Sequence, residues 1–351
     1  MMINTDATVP PAPTGPLEPL ELHAEWRAAD IADRTRWTYQ LTSDDAAELD
    51  AALHHAKARH ADILDVTRED FPLPTLAAKI AQFEEALIDG RGFQLISGLP
   101  VERYSDADAS AIYWGIGMHL GRPWPQNKHG HLLGDVTDQG RYPGDPTSRG
   151  NELGPVGMPY HSDGSDLVGL MCLRKAKSGG LSTVANAVLA HNEMVRTRPD
   201  LAALLYQPVI YDYRGEEEPG TKPTYEMPIF SRLGDRLFVR YIRPYIESAK
   251  RHPGVPLLTA AQREAFDLLD SMCRDPDFNV HMDLQPGDMQ FINNYHVLHA
   301  RTAFEDYPEP GRKRFLKRLW LETRKLTERP PHLQLGKSAK AWWTRKRTKA
   351  S

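Results

Sequence analysis

The chain has 351 residues, 40% of them hydrophobic, and a formal net charge of −4. This length and composition allow one large globular domain or two ordinary ones, and the small negative charge offers no overall attraction for nucleic acid or an anionic membrane. Because Cys172 and Cys273 are the only cysteines, we exclude a disulfide framework and a thiolate zinc site, and we expect a cytoplasmic protein whose partner is a small molecule.

The N-terminal segment is rich in proline and carries no helical or strand pattern. Residues 1–30 hold five prolines up to Pro19. We therefore expect an extended or disordered arm that is excluded from the fold. Neither this segment nor any later window has the apolar run of roughly 18 residues that a membrane span requires, so no membrane partner is expected. The oligomeric state is left open.

Helices are predicted before the sheet. Residues 43–60 have a candidate N-cap in Ser43, acidic residues in the first turn and apolar residues at helical spacing. Residues 75–89 repeat this pattern with Thr75 as N-cap, and residues 108–120 form a third candidate helix that ends before Gly121. Residues 90–100 change to a strand pattern bounded by glycine and proline.

Residues 123–159 are crowded with glycine, proline, asparagine and aspartate. A loop of this length inside a compact domain is usually a lid or a binding loop. We therefore predict that residues 123–159 form a lid-like loop beside the functional site.

From Tyr160 onward the chain alternates short strands with turns, and helices are predicted at 189–197 and 259–273. This pattern predicts a mainly β fold with flanking helices. We place one domain at residues 31–330 and a basic tail at 331–351. The candidate strands are DLVGLMCL, LSTVANAV, PVIYDYR, MPIFS, RLFVRYI, NVHMDL, GDMQFINN and FLKRLWLET.

The residues with metal-binding chemistry are His161 and Asp163, with His299 far downstream. On a strand, positions i and i+2 share a face, so the first two can bind one ion together. Two imidazoles and one carboxylate leave open positions on an octahedral ion, an arrangement typical of non-haem Fe(II) oxygenases.

A second His-x-Asp pair, His281 and Asp283, tests the specificity of this pattern. A short turn joins the pair to GDMQFINN, so we expect a hairpin that pairs it with residues near Ile292, well short of His299. We interpret His281 and Asp283 as ordinary strand residues.

Three segments resemble a known family. They are HSDGSDLVGLMCLRKAKSGGLST, LQPGDMQFINNYHVLHARTAF and RKRFLKRLWL. Together they are similar to the taurine dioxygenase-like family of Fe(II)- and 2-oxoglutarate-dependent oxygenases, which includes clavaminate synthase-type enzymes. The resemblance covers roughly residues 90–322 and implies a double-stranded β-helix (jelly-roll) core.

The resemblance assigns roles residue by residue. It implies that His161, Asp163 and His299 bind Fe(II). Arg314 matches the arginine that holds the distal carboxylate of 2-oxoglutarate, and Ser182 matches a hydroxyl that assists it. A planar guanidinium and a hydroxyl donor suit a carboxylate.

A second arginine, Arg318, matches a position that contacts cosubstrate or substrate in the family. Arg314 and Arg318 are four residues apart, so on a strand they share one face, opposite Lys313 and Lys317. A solvated basic strand is the alternative reading of these four residues.

The implied reaction consumes 2-oxoglutarate and O₂, yields succinate and CO₂, and oxidises an unactivated C–H bond of a small molecule. Related enzymes that halogenate lack the ligating carboxylate, so the presence of Asp163 favours hydroxylation, desaturation or cyclisation, possibly in specialised metabolism. Two alternatives stay open. One is a metal-binding jelly-roll sensor or scaffold without turnover, and the other, suggested by the basic tail, is a nucleic-acid-modifying oxygenase.

Five residues are candidates for substrate contact because they lie near these motifs or in the lid-like loop. Tyr160 and Asp166 flank the His-x-Asp pair, and Asn294 lies shortly before His299. Arg141 and Asn127 belong to the lid-like loop. Packing or turn formation is the competing explanation for each.

Overall fold

The computed structural model describes residues 9, 12–13, 15–217 and 219–334. Residues 335–351, which form most of the predicted basic tail, lie outside the described part of the chain. Among the described residues, no helix combines the length and apolar character that crossing a bilayer requires.

Helices flank a β-rich centre. The α-helices of the described residues are α1 Ser43–Arg59, α2 Leu76–Ile88, α3 Asp106–Leu120, α4 Ala187–Thr197, α5 Pro199–Leu205, α6 Arg243–Ser248 and α7 Ala260–Arg274. The strands are β1 Thr38–Gln40, β2 Phe93–Ser97, β3 Gly121–Pro123, β4 Leu133–Val136, β5 Met158–His161, β6 Leu167–Arg174, β7 Ser178–Gly179, β8 Ser182–Asn186, β9 Val209–Asp212, β10 Thr224–Met227, β11 Phe230–Leu233, β12 Arg236–Val239, β13 Asn279–Met282, β14 Met289–Asn293, β15 Val297–Arg301, β16 Phe304–Glu305 and β17 Phe315–Thr323.

Two sheets form the central double-stranded β-helix. The larger has the order β1-β2-β14-β6-β17-β3, and β4 also pairs with β17. The smaller has the order β13-β8-β15-β5. The predicted class, mainly β with flanking helices around a jelly-roll core, is confirmed.

Alternation along β17 divides the hydrophobic core in two. Leu316 and Trp320 belong to the cluster between the sheets, whereas Leu319 and Leu321 belong to the cluster that packs against α1, α2 and α3. Because successive strand residues point to opposite faces, positions 316, 318 and 320 of β17 face the interior of the β-helix. The inner face of β17 therefore carries Arg318 and Trp320, and Arg314 directly precedes the strand.

The early helices lie close to their predicted positions. Helix α1 starts at Ser43, but its N-cap is Thr42, whose side chain accepts a hydrogen bond from the Asp45 backbone N–H. Helix α3 starts at Asp106, two residues before the prediction, because Ser105 is its N-cap. Helices α5 and α6 were not predicted; both are short and begin near a proline.

The expectation that residues 1–30 are excluded from the fold is wrong for its later half. Leu20, Ala24 and Trp26 are buried in the core. The Leu20 N–H donates to Asn192 Oδ1 at 2.8 Å, and Trp26 Nε1 donates to the Arg91 carbonyl at 2.8 Å. This stretch is extended, and its apolar side chains anchor it to the domain.

The predicted boundary at residue 331 also needs correction. Residues Pro331–Leu333 form a 3-10 turn in which His332 and Leu333 are buried. Shortly before it, Arg329 Nε donates to the fully buried Asp166 carboxylate at 2.6 Å. The packed part of the chain therefore continues past residue 330.

Two buried histidines should make the fold acid-sensitive. His191 Nε2 lies 2.7 Å from the Tyr206 hydroxyl, and His332 Nε2 lies 3.0 Å from Ser231 Oγ. Burial lowers the pKa of each imidazole to about 4. The unfolded chain binds their protons near pH 6.5, so the free energy of unfolding should fall by about 1.4 kcal/mol per pH unit for each histidine between pH 6.5 and 4. Urea denaturation at several pH values measures this slope.

The variant His332→Gln isolates one contribution, because glutamine can still reach Ser231 but binds no proton. We expect its stability to depend less steeply on pH below 6.5 than that of the wild type. Identical slopes for the two proteins would show that His332 does not titrate on unfolding.

Candidate active site

Two strands of the smaller sheet bring His161, Asp163 and His299 together. His161 ends β5 and is the direct partner of His299 in β15. One ligand atom from each of the three residues lies within 4.8 Å of the other two, and all three side chains are buried. His299 Nε2 is 3.9 Å from Asp163 Oδ2, and the two imidazole centroids are 4.2 Å apart. This spacing suits three donors around one ion.

Asp163 is not a strand residue, contrary to the alternation argument, since β5 ends at His161. Hydrogen bonds fix its turn instead. The Asp163 N–H donates to Asn294 Oδ1 at 3.1 Å, and Asn294 Nδ2 donates to the Ser165 carbonyl at 2.9 Å. Between the two ligands, the Ser162 N–H donates to the Tyr241 carbonyl at 2.9 Å. The turn is therefore held from two sides.

Neighbouring groups orient two of the ligands. His161 Nδ1 lies 2.8 Å from the Pro159 carbonyl, so this nitrogen carries the proton and Nε2 is left with its lone pair. Trp320 Nε1 donates to Asp163 Oδ2 at 2.9 Å. Such supporting hydrogen bonds hold metal ligands in place.

The protonation states suit a divalent cation. Burial by itself would raise the pKa of Asp163, but the Arg318 guanidinium, assisted by the Trp320 hydrogen bond, helps to lower it to about 2. Burial lowers the pKa of His161, and it lowers that of His299 to about 3. The residues thus present one carboxylate and two neutral imidazoles, the forms that bind metal. This donor set fits Fe(II).

On one side of these residues lies Arg314, which is buried and whose Nη1 has no hydrogen-bond partner among the described residues. Its guanidinium lies 5.4 Å from the centre of the Phe304 ring. A Cβ on Gly180 would come within 3.0 Å of Arg314 Nε, and Gly180 also has a φ of +70°. Only glycine allows this approach. A buried cation with an unused donor is suited to a carboxylate.

Ser182 is buried on β8, and its Oγ donates to Gln290 Oε1 at 2.8 Å. While this bond is formed, the Ser182 hydroxyl can only accept further hydrogen bonds. Any donation from Ser182 to a bound carboxylate would require the hydroxyl to rotate away from Gln290.

Arg318 faces a different space from Arg314. It lines a cavity of about 330 Å³ next to His161 and Asp163, whereas Arg314 does not. Arg318 Nε donates to Gln126 Oε1 at 2.8 Å, and Nη1 lies 3.5 Å from Asp163 Oδ2. The predicted alternation along the strand is correct, because both arginines point inward while Lys317 pairs with Asp135.

Residues of the predicted lid-like loop form one wall of this cavity. The loop is not structureless throughout, because β4 pairs with β17 and Gly150–Glu152 form a 3-10 turn. Arg149 forms an ion pair with Glu216 across the wall. The cavity is lined by Gln126, Pro143, Ser148, Arg149, Gly150, Asn151, Leu153, Val156, Gly157, Met158, Pro159, His161, Asp163, Gly164, Tyr213, Arg214, Glu216, Arg240, Ile242, Pro244, Tyr245, Arg318 and Trp320.

The structure does not support the substrate roles expected for Tyr160, Asp166 and Asn294, since none of them lines the cavity. Tyr160 is buried and its hydroxyl interacts with Thr183. Asp166 is fully buried between Arg329 and Tyr295. Asn294 holds the Asp163 turn. All three contribute to the framework of the site.

Arg141 and Asn127 are also absent from the cavity lining. Arg141 is exposed and lies 3.6 Å from Glu152. Asn127 is buried, and its Oδ1 accepts the backbone N–H of His129 at 3.0 Å, so it closes a turn. Membership of the lid-like loop therefore does not place these two side chains at the cavity.

Sequence reasoning missed Arg240 and Trp320. Arg240 is buried just after β12 and donates from Nη1 to the Ser162 carbonyl, between the two ligands of the first motif. No spacing indicates this, because only the fold brings β12 to β5. Strand alternation could have identified Trp320, since it lies two residues after Arg318 on the same strand face.

The second His-x-Asp pair does not form a metal site. His281 pairs with Thr183 of β8, not with residues near Ile292, so the expected hairpin is wrong. Asp283 is exposed and its carboxylate lies 2.7 Å from Lys175 Nζ. Within the described part of the chain, His161, Asp163 and His299 form the one cluster of metal-ligating type.

Comparisons with known proteins place these residues in context. Residues 39–320 match the family described as "Taurine catabolism dioxygenase TauD, TfdA family". The chain is 32% identical over 308 residues to FR-33289 synthase of Streptomyces rubellomurinus (strain ATCC 31215), covering 87% of this chain and 90% of that protein. It is 26% identical over 303 residues to the taurine hydroxylase-like protein SAT17 of Stachybotrys chartarum (strain CBS 109288 / IBT 7711), covering 84% and 77%.

Solved structures show the same fold. Asparagine oxygenase in complex with Fe(II), a hydroxyasparagine and succinate is similar with a TM-score of 0.64 and 19% sequence identity, over 86% of this chain and 99% of that one. The non-heme iron oxygenase OrfP in complex with Fe and alpha-ketoglutaric acid has a TM-score of 0.60 and 17% identity, over 85% and 100%.

The two His-x-Asp pairs offer a matched test of metal binding. We expect His161→Ala to weaken Fe(II) affinity by at least about 100-fold, because a ligand is lost, and His281→Ala to leave it unchanged. Anaerobic titration of the purified proteins with Fe(II) measures both. Retention of tight binding in His161→Ala, or its loss in His281→Ala, would contradict the assignment.

Proposed function

Because the chain belongs to the taurine catabolism dioxygenase TauD, TfdA family, we propose that His161, Asp163 and His299 bind Fe(II) and that Arg314 and Ser182 bind 2-oxoglutarate. Members of this family are Fe(II)- and 2-oxoglutarate-dependent dioxygenases, and this chain is one of them. It oxidises an unactivated C–H bond of a small molecule. The observation that carries the site assignment is the cluster of three ligand atoms within 4.8 Å of one another.

Bound Fe(II), together with 2-oxoglutarate and O₂, supplies the oxidant for C–H cleavage, with succinate and CO₂ as coproducts. The chain's own residues orient the reactants and exclude water. The Pro159 carbonyl keeps His161 Nδ1 protonated, so Nε2 faces the metal position. Trp320 donates a hydrogen bond to one oxygen of Asp163 and thereby fixes the plane of the carboxylate.

Arg314 is the proposed anchor for the distal carboxylate of 2-oxoglutarate. Its burial supports this role, because a charge pair formed away from water is little screened by solvent. Its unpartnered Nη1 provides a donor for one carboxylate oxygen. Ser182 lies on the neighbouring strand β8 and supplies a second polar contact once its hydroxyl turns from Gln290.

We propose that the substrate is a small anion. The cavity wall carries four arginines, at positions 149, 214, 240 and 318, against two carboxylates, Asp163 and Glu216. Fe(II) and dianionic 2-oxoglutarate cancel each other's charge, so the positive excess persists in the loaded enzyme. Arg318 lies 3.5 Å from Asp163, and Arg240 donates to the carbonyl of the neighbouring Ser162, so these two are the candidates for holding the substrate's acidic group. Hydroxylation is the proposed outcome, with desaturation or cyclisation as variants of the same C–H cleavage.

We also propose that the protein is cytoplasmic and has a single catalytic domain. Both cysteines are free and buried, which supports a cytoplasmic location. We place the packed residues in one catalytic domain, which extends beyond both ends of the predicted range 31–330. A nucleic-acid-modifying role rested on the tail, which lies outside the described residues. No feature of the described residues favours a sensor without turnover over an enzyme.

Arg314→Met tests the cosubstrate site. Removing the guanidinium should weaken 2-oxoglutarate binding by at least about 100-fold, since a buried carboxylate loses its charged partner, while Fe(II) affinity stays the same. Anaerobic titration measures binding, and succinate formation under O₂ measures turnover. Arg312→Met, on an exposed residue two positions away, is the control and should behave like the wild type.

Turnover of 2-oxoglutarate by Arg314→Met at the wild-type rate and affinity would overturn the assignment. A folded wild type that binds Fe(II) but neither binds nor consumes 2-oxoglutarate with any substrate would instead favour the sensor.

Matched pairs of small acids and their neutral amides test the substrate class. With Mn(II) and 2-oxoglutarate bound, the acids should stabilise the protein against heat more than the amides do. Arg318→Met should weaken acid binding by about 10- to 100-fold more than it weakens amide binding, because it removes one charge from the cavity wall. Equal stabilisation by acids and amides in the wild type would contradict an anionic substrate.

A further inference from the structure

We infer that Arg301 is a positioning residue that links the binding of 2-oxoglutarate to the ordering of the loop over the substrate cavity. The inference rests on the proposed cosubstrate site at Arg314. It assigns a role to a buried cation that the reaction itself does not use.

Arg301 stands at the junction of the metal site, the cosubstrate site and the loop. It ends β15, two residues after His299, and is the register partner of Ser182 in β8 and of Met158 in β5. Its side chain is buried, with 8% of the residue exposed. A long cation in this position can contact all three regions at once.

The guanidinium holds the end of the loop. Arg301 Nη2 donates to the carbonyl of Gly154 at 3.1 Å and to that of Val156 at 2.8 Å. Leu153 and Val156 line the cavity, so these two hydrogen bonds set the position of its wall. Both acceptors are neutral, and the charge of Arg301 is therefore not compensated by them.

The same guanidinium lies beside Arg314. Both stack on Phe304, Arg301 at 4.8 Å and Arg314 at 5.4 Å from the ring centre. The pKa of Arg301 is lowered to about 10, mainly because the group is buried and secondly because Arg314 repels it. Each has one buried nitrogen without a partner among the described residues, Nε in Arg301 and Nη1 in Arg314.

The nearby acids compensate this pair only in part. Asp138 attracts Arg301 but already lies 3.5 Å from Lys313 Nζ. Asp306 attracts the Arg314 guanidinium, and its Oδ1 accepts the backbone N–H of Arg314 at 2.7 Å. The two like charges against one ring still repel each other in a buried site, and a bound anion relieves this repulsion.

A carboxylate bound at Arg314 removes this repulsion and strengthens the hold of Arg301 on the loop. Phe304 adds a direct connection, because its N–H donates to the Pro155 carbonyl at 3.1 Å while its ring lies beside both guanidiniums. Coupling of two binding events is reciprocal, so a loop fixed by Arg301 must in turn increase the affinity for 2-oxoglutarate.

The experiment uses the full chain with Mn(II) in place of Fe(II) and compares Arg301→Met, Arg301→Lys and the control Arg312→Met. Titration measures 2-oxoglutarate affinity, and hydrogen exchange measures protection of the backbone amides of residues 153, 154, 156 and 157 with and without 2-oxoglutarate. In the wild type, 2-oxoglutarate should slow this exchange. Arg312→Met should match the wild type.

The two substitutions separate charge from geometry. Arg301→Met should weaken 2-oxoglutarate binding about 10-fold and abolish the protection that 2-oxoglutarate induces, as expected when a coupling of this size is lost. Arg301→Lys should keep affinity within about 3-fold, because the charge is retained. It should still lose most of the protection, since an ammonium group does not reproduce the planar fork.

Three results would overturn the inference. They are a wild type whose loop exchange does not respond to bound 2-oxoglutarate, an Arg301→Met protein that is less heat-stable but has normal affinity and protection, and an Arg301→Lys protein with wild-type protection. If Arg301→Met does not fold, Arg301→Lys decides alone. Failure of the proposed cosubstrate site can be told apart from these results, because the Arg314→Met protein would then bind 2-oxoglutarate normally.

Discussion

The site depends on keeping one carboxylate ionised in a buried position. Asp163 is buried away from water. Without compensating contacts, its carboxylate would either take up a proton or destabilise the fold. Trp320 donates a hydrogen bond to it, the Arg318 guanidinium lies close by, and the backbone of its turn is fixed by Asn294. These contacts come from two separate parts of the chain, strand β17 and the turn between β14 and β15. The packing of the β-helix is therefore needed to keep this carboxylate ionised.

Strand β17 organises this environment. It pairs with β6, β4 and β3, and it separates the two hydrophobic clusters. Arg314 directly precedes the strand, the inner face of the strand presents Arg318 and Trp320, and its outer face packs on helix α3. This nine-residue strand and the residue before it therefore contribute to the proposed cosubstrate site, to the cavity and to the contacts of Asp163.

Much of this could be predicted from the sequence, because strand alternation and local motifs are properties of neighbouring residues. Alternation placed Arg314 and Arg318 on one face, and the spacing of the motifs indicated His161, Asp163 and His299. What failed were contacts set by tertiary packing. Asp166 and Tyr160 were close to the motif in sequence but point into the framework, whereas Arg240 and Arg301 acquire their positions only when distant strands meet. The burial of Leu20 and Trp26 was hidden by the prolines around them.

The ion pair between Arg329 and the buried Asp166 has a consequence for biosynthesis. Strand β17 and Arg329 follow both imidazole-bearing strands in the chain, yet Trp320 and Arg329 hold the turn that carries Asp163 and Asp166. A nascent polypeptide therefore has both imidazole-bearing strands before it can complete this turn. The proposed capture of iron is thus deferred until β17 and Arg329 have been synthesised, so a chain that stops before them is born without a complete redox centre.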